Sequence, residues 1–368
     1  MNYYIIAGEA SGDLHASNLM KELKQLDSNS RFRCWGGDLM QAQGGELVKH
    51  YRDLAFMGFT EVLMNLRTIL GNIDMCKKDI LLHRPDVLVL VDYPGFNLRV
   101  AEFAKQNGIK VYYYISPQIW AWKQSRVHKI KRVVDKMFVI LPFEKEFYKR
   151  FDFDVDFVGH PLLDAVSNYS EQKDVKAVQT DKPIIALLPG SRKQEIATML
   201  PLMLSMKKQY PDFQFVIAGA PSQPEEYYRT FIGDADVKIV FGKTYNLLQQ
   251  AHAALVTSGT ATLETALFNV PEVVCYKGGA ISFAIAKQLV KVKYISLVNL
   301  IMDKEIVKEL IQNELNEANL KTELDKLLNP VTRNNMLENF ALLRAKLGGA
   351  GASRHTAELM IKYLNQLN

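Results

Sequence analysis

The stretch Asp86-Val87-Leu88-Val89-Leu90-Val91-Asp92 constrains the fold more than any other part of the chain. A strand with one wet face alternates apolar and polar residues. This one is apolar throughout, so both faces are buried, as in a parallel sheet covered by helices. Tyr3–Ala7, Val111–Ile115, Met137–Leu141 and Asp156–Val158 repeat the pattern with helix-like stretches between them. The first of these, His15–Leu26, carries Leu19, Leu23 and Leu26 on one face. Strand and helix in alternation predict an α/β, doubly wound parallel sheet.

Residues 166–182 are polar and lack apolar period, which reads as a linker. The pattern then restarts with strand Ile184–Leu188, helix Glu195–Tyr210, and strands Phe213–Ala218, Val237–Phe241, Ala253–Thr257 and Glu272–Tyr276. Helices are expected over Lys304–Leu315, Lys321–Leu328, Asn334–Leu347 and Ser353–Leu367, with Gly348-Gly349-Ala350-Gly351 separating the last two. A length of 368 residues suits two such domains, with a ligand cleft between them.

Composition narrows the function classes. Cys34, Cys76 and Cys275 are far apart and form no C-x-x-C pair, which excludes a disulfide scaffold and a zinc ribbon and fits a reducing compartment. No stretch approaches the ~18 uninterrupted apolar residues of a membrane span, and the N-terminus does not read as a signal peptide. The net charge of +5 comes without a dense Lys/Arg block, so no nucleic-acid footprint is expected. A mildly basic surface still suits an anionic membrane or a phosphorylated substrate.

Chemistry is expected where strands run into helices. Gly8-Glu9-Ala10-Ser11-Gly12-Asp13 follows the first strand, and its small residues admit a ligand close to the backbone. It is no dinucleotide fingerprint, and Ser11 or Asp13 serving as an N-cap explains it equally well. Pro189-Gly190-Ser191-Arg192 occupies the same place in the second half, where a guanidinium and helix N–H groups suit a diphosphate. Glu195 there either pairs with Arg192 or caps the helix. Thr257-Ser258-Gly259-Thr260-Ala261-Thr262-Leu263-Glu264 is a third such turn, and Glu264 is placed to accept hydrogen bonds from a ribose diol or to pair with a cation.

Asp92 ends its strand ahead of Tyr93-Pro94-Gly95-Phe96-Asn97, as a general base or as a cap for the coming helix. Ser116–Lys123 holds two of the three tryptophans, Trp120 and Trp122, beside Gln118. They suit a sugar or acyl pocket, or a packed corner. The basic stripe Lys123, Arg126, His128, Lys129, Lys131 and Arg132 follows. Phe56–Leu70 is more apolar than a surface helix requires. Val62, Leu63, Leu66, Ile69 and Leu70 cover one face, and Phe56, Met57, Phe59 and Met64 extend it, which suits a core helix or contact with acyl chains or a membrane. Asp152, Asp154 and Asp156 alternate with Phe and Val as an edge strand does, so no metal is expected there.

Taken in order, AGEASGD (7–13), MGFTEV (57–62), VDYPGFN (91–97), YYISPQIWAWK (113–123), LPFEKEFY (141–148), FVGHPLLD (157–164), LLPGSRKQEI (187–196), TSGTATLE (257–264) and YISLVNL (294–300) resemble the lipid-A-disaccharide synthases over nearly the whole chain. The resemblance implies the GT-B architecture. Two Rossmann-like domains, here 1–165 for the acceptor and membrane and 183–333 for the UDP-sugar donor, face a central cleft, and C-terminal helices, 334–368, cross back to the first. In some relatives that last segment is exchanged between protomers, so a homodimer is among the implied assemblies.

By the same resemblance, the activity is an inverting transfer of diacylglucosamine from UDP to the 6-hydroxyl of diacylglucosamine 1-phosphate. No metal or cofactor is implied, and attachment is peripheral, on the inner face of the cytoplasmic membrane. Asp92 matches the family's proposed base, Arg192 a residue at the donor phosphates, and Asn299 a donor-site polar residue. Gly8, Glu9, Ser11, Gly12, Asp13, Met57, Asn97, Gln118 and Trp120 are expected to bind substrate from the first domain. Gly190, Ser191, Ser258, Gly259, Thr260, Thr262 and Glu264 are expected to do so from the second. The competing readings are other UDP-N-acetylglucosamine enzymes of this fold, a peptidoglycan-lipid transferase or a non-hydrolysing epimerase.

Overall fold

A computed structural model of the chain describes residues 1–54, 66–170, 176–233, 235–279 and 292–366. They form two compact units, Met1–Asp164 with Leu347–Asn368, and Ala165–Lys346.

In the first unit, β1 (Asn2–Ala7), β2 (Arg31–Gly36), β3 (Glu46–His50), β4 (Val87–Val91), β5 (Lys110–Tyr114), β6 (Lys136–Val139) and β7 (Asp156–Phe157) make an all-parallel sheet. Its order is β3-β2-β1-β4-β5-β6-β7. The helices are α1 (Ala10–Leu26), α2 (Asp38–Ala42), α3 (Leu66–His83), α4 (Pro94–Gln106), α5 (Ile119–Trp122), α6 (Arg126–Val133), α7 (Pro142–Lys149) and α8 (Pro161–Ser170), the last running across the boundary between units. Every residue of β4 is buried, as its unbroken apolar run requires.

The second unit repeats the plan. β8 (Ile184–Leu188), β9 (Gln214–Gly219), β10 (Lys238–Phe241), β11 (Ala251–Thr257), β12 (Glu272–Tyr276) and β13 (Lys308–Ile311) are parallel in the order β10-β9-β8-β11-β12-β13. Its helices are α9 (Lys193–Ser205), α10 (Glu225–Ile232), α11 (Thr244–Gln250), α12 (Thr260–Leu267), α13 (Leu297–Met302), α14 (Glu317–Leu328) and α15 (Pro330–Lys346).

The remaining helix, α16 (Ala352–Asn365), returns to the first unit. There Ala357, Met360 and Leu364 join Leu19 and Leu23 of α1 in one core. The segment expected as one block over 334–368 is therefore divided, with α15 in the second unit and α16 in the first.

Three further expectations need correction. β2 and β3 lie outside the apolar runs: Arg33 breaks that of β2, and β3 is an edge strand with no fully buried residue. The Arg33 guanidinium is carried into the fold by a two-point ion pair with Asp79 (both 2.7 Å) and a contact to Glu46. The helix expected over Lys304–Leu315 is instead strand β13 followed by a short 3-10 turn, since pairing to β12 decides the matter over local preference. The edge strand expected around Asp152–Asp156 is limited to β7, and Asp152 sits in a turn at φ +51°.

Both sheets reverse direction once, between β1 and β4 and between β8 and β11. Ligands of such sheets bind outside the carboxyl ends of the strands at that reversal. The glycine-rich turn and Asp92 lie at the first reversal, and the Pro189–Arg192 and Thr257–Glu264 turns at the second.

Candidate active site

At the first reversal Ala7 pairs with Val91, so the Gly8 turn and Asp92 leave the sheet side by side. Gly8 is required by contact. A Cβ there would lie 2.3 Å from the Tyr93 ring. Asp92 and Tyr93 are both left-handed, at φ 44° and 48°, and α4 begins just beyond them with Tyr93 at its N-cap position. Asp92 is therefore not the helix cap. Burial raises its carboxyl to about 6, with the exposed Glu9 adding to the rise and the Tyr93 N–H opposing it.

Two side chains fix this corner. Tyr113 donates from its hydroxyl to the Asp92 carbonyl (2.5 Å), and Asn97 donates from Nδ2 to the carbonyls of Asp92 (2.7 Å) and Val91 (3.3 Å). Asn97, expected to bind substrate, is fully buried and directs its donor into the backbone.

Asp13 also departs from expectation. It is buried, and its carboxylate accepts from the N–H groups of Gly37 (2.8 Å), Leu39 (3.1 Å) and Met40 (3.1 Å). It caps α2 rather than its own helix, and Ser11 does not cap α1 either: the N-cap is Glu9, without a side-chain bond. Asp13→Ala should lower stability by about 1–3 kcal/mol in urea unfolding, because it orphans buried donors. Ser11 is exposed, and Gly12 lets α1 approach Ala7, where a Cβ would sit at 3.2 Å.

Beyond β5, Gln118 is exposed while Trp120 is buried edge-on against Phe143 at 4.9 Å. Trp122 is half-exposed, with Lys123 and Arg126 over its ring. Beneath this turn lies a carboxyl that sequence reasoning missed. Glu144 is buried, accepts from the N–H groups of Ile140 (3.2 Å) and Leu141 (3.0 Å), and is pushed up to about 7 by burial. Met57, Val62 and Leu63 lie outside the described residues, as does the side chain of Leu66; Ile69 is half-buried and Leu70 exposed on α3.

At the second reversal Leu188 pairs with Val256, bringing the two turns together. Gly190 is left-handed (φ +100°), and a Cβ there would be 2.6 Å from Glu195 Oε2. That same oxygen accepts from the N–H groups of Ser191 (3.2 Å) and Arg192 (3.3 Å), while Oε1 meets the Arg192 guanidinium at 3.3 Å. Both alternatives for Glu195 thus hold at once: it caps α9 and pairs with Arg192, whose side chain stays largely exposed.

Ser258 donates to the Ile295 carbonyl (3.2 Å), Gly259 precedes α12, Thr260 opens it, and buried Thr262 donates to the Gly259 carbonyl (2.9 Å). Among the described residues Glu264 pairs with no cation. It accepts from the Tyr245 hydroxyl (2.9 Å), and burial raises its carboxyl.

Asn299 is fully buried with both ends of its amide occupied. Nδ2 donates to the Val307 carbonyl (2.8 Å) and Glu309 (2.9 Å), and Oδ1 accepts from Ile306 (2.7 Å) and Val307 (3.0 Å). It braces the segment ahead of β13 instead of presenting its amide to a ligand. Glu309, another residue missed in the sequence, also accepts from the N–H groups of Ile295 (3.0 Å) and Ser296 (2.9 Å). Through Ile295 this brace reaches Ser258.

Residues 3–355 match the family model described as lipid-A-disaccharide synthetase. The lipid-A-disaccharide synthase of Syntrophus aciditrophicus is 40% identical, covering 98% of this chain and 97% of its own. That of Geobacter metallireducens is 38% identical with the same coverage, and that of Psychromonas ingrahamii is 40% identical, again with 98% and 97% covered. Among solved structures, the UDP-GlcNAc 2-epimerase of Neisseria meningitidis bound to UDP-GlcNAc superposes with a TM-score of 0.69 at 14% identity, over 98% of this chain and 100% of that one. The calicheamicin glycosyltransferase CalG4 superposes with a TM-score of 0.65 at 15% identity, over 100% and 98%. These two likenesses show the fold alone, the GT-B architecture. The near-complete match in sequence shows more: the chain is a glycosyltransferase of lipid A biosynthesis and belongs to the lipid-A-disaccharide synthase family.

Proposed function

We propose that the enzyme condenses UDP-2,3-diacylglucosamine with 2,3-diacylglucosamine 1-phosphate, releasing UDP and forming the β-1′,6-linked lipid A disaccharide 1-phosphate. The observation that carries this reading is Asp92. It is a largely buried carboxylate at a sheet reversal, raised to about 6, so that it is ionised at neutral pH yet more basic than an ordinary aspartate. In this reading Asp92 takes the proton of the acceptor 6-hydroxyl as that oxygen attacks the anomeric carbon. Attack opposite the leaving group inverts the centre.

Negative charge gathers on the departing diphosphate. The guanidinium of Arg192 and the backbone N–H groups of Ser191 and Arg192, at the turn into α9, meet that charge, and the Glu195 carboxylate resting on them supports their suitability for an anion. Glu264, already accepting from Tyr245, takes the ribose hydroxyls. This mechanism requires no metal or cofactor.

Incubating synthetic donor with and without acceptor, followed by mass spectrometry and proton NMR, tests the reading. Disaccharide 1-phosphate with a β-anomeric coupling is expected only when both substrates are present. A C2-epimerised donor formed without acceptor would refute it.

We further propose peripheral attachment to the cytoplasmic membrane surface. Among the described residues no helix is long and apolar enough to cross a bilayer. α3 nevertheless exposes Leu70 (51%) and Leu82 (79%), in a chain of net charge +5. Leu70→Ser with Leu82→Ser should lower co-sedimentation with anionic vesicles several-fold while leaving the melting temperature in place. Unchanged sedimentation would remove α3 from the contact.

A further inference from the structure

We propose that Tyr113 is a positioning residue for Asp92, acting together with Asn97 to hold the left-handed corner that aims the carboxylate. The inference rests on the reading of Asp92 as the general base.

Two consecutive non-glycine residues at positive φ are a strained arrangement. Such strain persists only where the surroundings over-determine it, and it concentrates at functional sites. Here the determinants are identifiable. The Asp92 carbonyl receives two hydrogen bonds, from the Tyr113 hydroxyl (2.5 Å) and from Asn97 Nδ2 (2.7 Å). Asn97 also ties the carbonyl of Val91 through Nδ2 (3.3 Å), and its own N–H donates to the carbonyl of Tyr93 (3.0 Å). Three successive carbonyls, those of Val91, Asp92 and Tyr93, are thus fixed from one buried asparagine. Tyr113 supplies the second grip from the neighbouring strand.

Tyr113 is fully buried, and burial holds its hydroxyl far above the usual range, so it remains protonated and donates. Its neighbours Tyr112 and Tyr114 belong to the opposite face, in the core shared with α1 and α16. A phenylalanine would fill the same volume at 113. What the hydroxyl adds is the bond to the backbone of the catalytic residue. Without it the corner is free to relax toward ordinary dihedrals, turning the carboxylate away from its aim and out toward water.

The discriminating experiment is a double-mutant cycle of Tyr113→Phe and Asp92→Asn, read as kcat, donor KM and the pH profile of kcat/KM. Tyr113→Phe alone should lower kcat about tenfold with donor KM within about twofold, since small misplacements of a catalytic group cost this much. Its acid limb should move to lower pH, because a carboxylate released toward solvent becomes more acidic. On the Asp92→Asn background the same substitution should change the residual rate by less than about twofold, as expected for residues acting as one unit.

A general structural defect would lower the rate equally in both backgrounds and leave the acid limb in place, and that outcome overturns the proposal. So does a Tyr113→Phe enzyme with wild-type kcat. Full turnover by Asp92→Asn would instead refute the base assignment itself, whatever Tyr113→Phe does. If Tyr113→Phe does not fold, Asn97→Ser removes the other grip and should reproduce the same kcat loss and pH shift.

Discussion

Asp92→Asn is expected to lower kcat by about 10²–10⁴, the usual value of general-base assistance, and at the same time to stabilise the protein at neutral pH. The second effect follows from linkage. In the folded protein the Asp92 carboxyl is raised to about 6 from its ordinary 3.8. Below both values the group is protonated in the folded and unfolded states alike, and its contribution to stability is intact. As pH rises through this window the unfolded chain releases its proton first, so the folded state loses stability until the pH exceeds 6.

By pH 7.5 the loss amounts to about 3 kcal/mol, from about 1.36 kcal/mol per pKa unit. An amide does not ionise and escapes it. Urea unfolding at pH 7.5 and at pH 3.5 checks this directly, with a gain for the variant at the higher pH that disappears at the lower one. A residue that loses activity and gains stability on substitution marks a site where the fold gives up stability for function. A variant destabilised to the same extent at both pH values would contradict the account. In the wild-type enzyme, kcat/KM should fall below about pH 6 as the base becomes protonated.

Arg192→Ala is the second large effect. Removing the charge proposed to meet the developing diphosphate should lower kcat by about 10²–10³ and weaken UDP binding in calorimetry. Arg192→Lys should recover only part of this, because an ammonium restores the charge without the planar fork of donors. The substitution also leaves Glu195 without its guanidinium, while its carboxylate still accepts from the Ser191 and residue-192 N–H groups and so keeps capping α9, and the fold should be retained. Wild-type UDP affinity in Arg192→Ala would move the diphosphate away from this turn.

The parts of the site that were legible in the sequence share one physical reason. Strands buried on both faces announce themselves as apolar runs, and in parallel sheets the residues just past their carboxyl ends are where ligands collect. Asp92, the Gly8 turn and Pro189–Arg192 could all be placed that way.

The missed features depend on partners distant in the chain. β2 was hidden by Arg33, whose ion pair with Asp79 spans 46 residues. The Lys304–Leu315 segment has apolar spacing that suits a helix until pairing with β12 makes a strand of it. Asn299, Asn97 and Asp13 are polar residues of the types that bind ligands, and nothing local shows that the Asn299 amide, the Asn97 Nδ2 donor and the Asp13 carboxylate are already engaged within the fold. Glu144 and Glu309 resemble ordinary surface glutamates in sequence, because burial depends on packing and not on residue type.

The central claim is acceptor-dependent glycosyl transfer with Asp92 as the base, and UDP release measured with acylated donor in the presence and absence of acceptor tests it most directly. The wild-type enzyme should release one UDP per disaccharide only when acceptor is present, and Asp92→Asn should release UDP at least about a hundredfold more slowly. Equal UDP release without acceptor, or an undiminished rate in the variant, would contradict it.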